Sequence, residues 1–128
     1  MTAAAADLAA CKEYHRQAPA DDAKVSEMLT RTTDLGEIED TFRVMAGNLE
    51  SDTSTANGSA LVTALRGTVA GMRQTQAIAN AWTDDSSLDL FPGVDATNKA
   101  SSKVAQICSI LDPSMAYTPI GTMRGTAP

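Results

Sequence analysis

Cys11 and Cys108 stand near opposite ends of a 128-residue chain. Each falls on the apolar stripe of a helical pattern. Two readings of the pair are open. They form a structural disulfide, or they are free, buried small hydrophobes of a cytosolic protein. Inward positions on the first and last helical segments favour the disulfide. Such a bridge would close nearly the whole chain into one loop. Chain entropy assigns about 4.7 kcal/mol to a loop on the order of 100 residues. A redox role finds no support, because there is no Cys-x-x-Cys and acidic surroundings raise a thiol pKa.

The segments between the cysteines carry a helical period. Ala4, Leu8, Cys11 and His15 share one face of a predicted helix over 3–17, with Pro19 as its stop. Asp21 is the expected N-cap of a second helix over 21–32, whose inner face is Val25, Met28, Leu29 and Thr32. Asp34 and Glu37 resemble a capping box that opens a third helix over 35–50, striped by Ile38, Phe42, Met45 and Leu49. Residues 51–58 read as a polar loop. Ser59 is the expected cap of a fourth helix over 59–83, with Leu61, Leu65, Met72, Ala79 and Trp82 on its apolar face. On its neighbouring edge Thr63, Gly67, Gly71 and Thr75 recur every four residues, a strip that admits another helix closely. Interior glycines cost about 1 kcal/mol each against alanine, so close packing is the expected compensation.

Residues 84–97, with Asp-Asp-Ser-Ser and Phe91-Pro92-Gly93, read as a loop before a fifth helix over 98–111. Its inward residues are Ala100, Val104, Ile107, Cys108 and Leu111, and Pro113 ends it. The tail, 113–128, lacks periodicity and reads as extended or mobile. No sustained alternation of β-branched residues suggests a strand. The expected fold is all-α: an antiparallel bundle of four to five helices over 1–112, first and last joined by the disulfide.

Charge narrows the partners. The net charge is −6. Within residues 1–50, Lys12, Arg16, Lys24, Arg31 and Arg43 are outnumbered by ten acidic residues. No basic stripe offers phosphate neutralisation, which argues against nucleic acid. The third helix carries Glu37, Glu39 and Asp40, whereas the fourth carries Arg66 and Arg73 and no acid. Pairing of the two is electrostatically favourable. No run is apolar enough to be a transmembrane segment. The amino terminus lacks the basic and apolar regions of a signal peptide as it stands. The chain is then cytosolic, or a mature secreted domain with an added start Met.

Candidate chemistry is thin. His15, one turn after Cys11, lacks the companions of a Cys/His metal site. Met28, Met45 and Met72 with His15 could ligate haem or copper, but methionine at helical spacing reads first as core filler. No cofactor is therefore expected. Asp85, Ser87 and Asp89 match the first three positions of a calcium loop, yet Leu90 replaces its glycine and Ala96 its bidentate glutamate. Asn57-Gly58-Ser59 is a formal glycosylation sequon and equally a turn signal. No Ser/His/Asp set, inward carboxylate pair or phosphate-cradling loop is visible.

Three stretches carry a resemblance: Ala9-Ala10-Cys11, the Ala/Leu-rich segment from Phe42 to Trp82, and Lys103-Val104-Ala105-Gln106-Ile107-Cys108. Across residues 7–110 the chain resembles the small secreted or lipid-anchored helical proteins of actinobacteria. The resemblance implies a Cys11–Cys108 bridge and an extracytoplasmic address, and brings no active site. The leading expectation is a secreted, non-enzymatic helical module that binds a protein or cell-surface partner. One alternative is a small-ligand or cofactor carrier with a pocket near His15, Met72 and Trp82. Another is a cytosolic or phage assembly subunit that associates through the Thr63/Gly67/Gly71 strip.

Overall fold

The computed structural model describes residues 2–31, 34–81 and 89–122. These residues form four helices: α1 (Ala3–Arg31), α2 (Leu35–Asp52), α3 (Ser59–Ala81) and α4 (Phe91–Leu111). No strand occurs among the described residues.

The first two predicted helices are one. α1 runs 29 residues through Pro19. A proline inside a helix forfeits one backbone bond and costs about 3 kcal/mol. What opposes that cost is a buried stripe that continues across the proline: Ala10, Cys11, Tyr14 and Ala18 before it, Asp22, Val25 and Met28 after it. Burying Tyr14, Val25 and Met28 at roughly 1.5–3 kcal/mol each outweighs the lost bond. Pro19 itself is exposed, so its ring stands off the packed face.

α2 begins as its sequence indicated. The Asp34 carboxylate accepts from the Glu37 backbone N–H at 3.2 Å. Ile38, Phe42, Met45, Ala46 and Leu49 are buried along one face. Thr53 closes the helix, its N–H and hydroxyl both donating to the Leu49 carbonyl. α3 is entered differently from expectation. Its first turn closes on the Gly58 carbonyl, and the carboxylate that accepts from Asn57 N (2.6 Å) and Gly58 N (3.0 Å) is that of Asp7 in α1. Ser59 already lies inside the helix.

α4 starts seven residues before the predicted 98. Phe91-Pro92-Gly93 reads as a loop in isolation, but proline in a first helical turn has no bond to lose. The Asp89 carboxylate receives the Phe91 N–H at 3.0 Å. Gly93, Val94, Thr97 and Ser101 extend the buried stripe back to that new start.

α3 packs most extensively against α4 and then against α2. Positions 67, 71 and 75 of α3 face positions 100, 97 and 93 of α4. α1 packs against α2 and α4, and a covalent link also joins it to α4: Cys11 and Cys108, both fully buried, form a disulfide with Cα atoms 5.6 Å apart.

Residues 112–122 form no helix and lie against α1 and α4. Tyr117, Ile120 and Gly121 are buried. Tyr14 donates its hydroxyl to the Thr118 carbonyl at 2.5 Å. Ser101 Oγ donates to the Ile120 carbonyl at 3.1 Å and accepts from Ile120 N at 2.8 Å. The Asp22 carboxylate accepts from Gly121 N, Thr122 N and the Thr122 hydroxyl, all within 3.0 Å. Gly121 makes this turn at φ +85°, in the left-handed region that suits glycine.

Candidate functional site

The small-residue strip on α3 is covered by α4 itself. A Cβ at Gly71 would stand 2.5 Å from the backbone nitrogen of Thr97, and one at Gly67 would stand 3.1 Å from Ala100 Cβ. Thr75 is buried and meets Gly93, where an added Cβ would lie 2.7 Å from the Thr75 backbone nitrogen. Thr63 is exposed at the strip's open end.

Of the residues expected to line a ligand pocket, Met72 is wholly buried. His15 is half-buried, its ring edge-on to Tyr117 with centroids 5.6 Å apart, and its Nδ1 has no hydrogen-bond partner. Trp82 lies outside the described residues, as do Asp85 and Ser87 of the calcium-like loop. The third residue of that loop, Asp89, serves the first turn of α4. Among the described residues no group of three His, Cys, Asp or Glu side chains could hold a metal ion. Asn57 of the sequon is exposed.

Two acids that α1 places side by side differ sharply. Asp22 is buried and takes the hydrogen bonds of the terminal segment. Asp21, expected as an N-cap, sits in mid-helix, where no free backbone N–H is available to it. Its Oδ2 is buried without a partner. Burial pushes its pKa up to about 6. The same corner holds Tyr14, whose phenol is raised well above its usual value, chiefly by desolvation.

Open grooves are found among the described residues, two of them along α3. One, between α3 and α4, has about 720 Å³ and an alanine floor of Ala60, Ala64, Ala96 and Ala100. Its Lys99 is paired with Asp95 at 3.0 Å. The other, between the end of α2 and α3, has about 660 Å³. Val62, Leu65 and Val69 form its floor, and Arg66 and Arg73 stand on its rim with Glu50 opposite. Arg73 reaches Glu50 at 3.4 Å, with both side chains about half exposed or more. Neither groove is lined by His15 or Met72.

No known protein family, curated protein or solved structure matches the chain. Its chemistry is therefore read from these residues alone. A floor of valine and leucine with guanidinium groups at its edge suits recognition of an apolar, polar-edged surface. In the sequence Arg66 and Arg73 stand out only as partners for Glu37, Glu39 and Asp40. In the structure Glu37 meets Lys24 of α1 at 3.9 Å and Asp40 meets Arg43 of its own helix. The arginines face the groove instead. Their spacing of seven, together with Val62 and Val69, was the available signal. Among the described residues no helix is long and apolar enough to cross a membrane.

Proposed function

We propose that this chain is a non-enzymatic helical binding module of an oxidising, extracytoplasmic setting, engaging a protein or cell-surface partner through the α2–α3 groove. The observation that carries this reading is the groove itself: an aliphatic floor, open to solvent, on two helices that each bury one face in the core. Rigid elements present such a surface without the entropy cost of ordering a loop. The wholly buried disulfide supports the address, since bridges of this kind persist where thiols are not kept reduced. Kinship with small secreted actinobacterial helical proteins belongs to the same reading.

Immobilised protein, exposed to the secreted and envelope fractions of its source, should retain a partner. An Ala70→Glu variant, which places a charge in the groove wall, should lose it. Retention of the same partner by both proteins would reject the groove as the binding surface. A clear turnover activity with no partner retained would reject the module reading altogether.

A further inference from the structure

The α2–α3 groove combines charge and shape in a way that specifies its occupant. The molecule as a whole is acidic, at −6. Yet α3 carries Arg66 and Arg73 and no acid. Arg66 is exposed and has no ion-pair partner among the described residues. Arg73 holds only Glu50, in a loose surface pair of the kind worth roughly 0–1 kcal/mol. An acidic protein repels anionic partners generally, so a local cationic rim is where one can settle.

The geometry adds a length. Arg66 and Arg73 lie seven residues apart on one face of a helix, which separates their origins by about 10.5 Å along the axis. Val62, Leu65 and Val69 repeat along the same direction at three- and four-residue steps. A groove between two helices with this repeat accepts a third helix by ridge-into-groove packing. On such a helix, carboxylates at i and i+7 reproduce the arginine spacing, and apolar residues between them meet the valines and Leu65.

Resting on the reading of this groove as the binding surface, we propose that it recognises an acidic amphipathic helix of another protein, whose carboxylates at i and i+7 pair with Arg66 and Arg73. Guanidinium groups suit this task because their planar forks bind carboxylates bidentately. Glu50 acts as a competitor that the incoming carboxylate displaces from Arg73. A second copy of this chain is not the matched occupant: no described helix carries two acids seven residues apart.

Three synthetic helical peptides of equal length test this, each with a leucine stripe. The first carries Glu at i and i+7 flanking the stripe, the second the same residues with both Glu moved to the opposite face, the third Lys in place of Glu. Binding is read by fluorescence anisotropy and by amide shift changes in the labelled protein. The first peptide should bind, with shifts at Val62, Leu65 and Val69. Its affinity should fall at least tenfold in an Arg66→Gln/Arg73→Gln variant of unchanged thermal midpoint, and rise severalfold in Glu50→Gln. Equal binding of all three peptides with shifts in the groove would overturn the acidic-helix proposal and leave the groove reading standing. No binding by any peptide, or shifts elsewhere, would overturn both. Self-association that the arginine variant abolishes would make a second copy the occupant and overturn the proposal.

Discussion

Gly47 and Gly71 both sit inside helices, yet they have opposite relations to their surroundings. A Cβ at Gly47 meets nothing within 4 Å, whereas one at Gly71 would press into the backbone of Thr97. Gly47→Ala should therefore raise stability by about 0.5–1 kcal/mol, through the better helix propensity of alanine. Gly71→Ala should lower it by about 1–3 kcal/mol, as α4 is forced away. Urea unfolding of the two variants beside the parent checks both signs. Asp21 adds a pH dependence. Its pKa is about 6 in the folded protein, against an ordinary value of 3.8. The folded state thus holds this proton more tightly than the unfolded chain does. The group's stabilising contribution is complete below about pH 4 and is lost as pH rises through about 6. Asp21→Asn should be more stable than the parent at pH 7.5, with the difference vanishing by pH 4. Denaturant midpoints across that range give the measurement.

At the scale of elements, the strap formed by residues 112–122 depends on α1 for its anchor. Asp22→Ala leaves the amides of Gly121 and Thr122 without their acceptor. A loss of about 1–3 kcal/mol is expected. Hydrogen exchange should show these two amides and Ile120 losing protection before the helices do. How much of this was legible in the sequence depends on what each element answers to. Asp34, Ile38, Phe42 and Leu49 declared α2 within two residues, because cap and stripe are local. Pro19 reads locally as a stop, and only the buried residues on both sides of it explain why α1 continues. Phe91-Pro92-Gly93 reads locally as a loop, because the contact of Gly93 with Thr75 is invisible without the α3–α4 pairing. Asp22 could not be recognised as an anchor, since its partners lie about a hundred positions away. The groove was illegible for the same reason. Arg66 and Arg73 become a rim only once α2 has been laid beside α3.

For the whole molecule, the disulfide and the strap bind the same pair of helices, α1 and α4. A Cys11→Ala/Cys108→Ala variant keeps the strap and the α3–α4 contact but loses the covalent restraint on the unfolded chain. It should unfold about 2–5 kcal/mol more easily than the parent in calorimetry or denaturant titration. Both sulfurs belong to fully buried residues, so reduction of the native protein has to await opening of the core. Thiol appearance under mild reductant should accordingly be slow in buffer and fast in urea.

The bridge between residues 11 and 108 also closes the chain between them into a ring. A protease that cuts once anywhere between those positions, for instance in the exposed Ser54–Thr55 turn, does not release a fragment. It adds one water to the mass and leaves a single covalent body. The two pieces then part only when the cystine is opened.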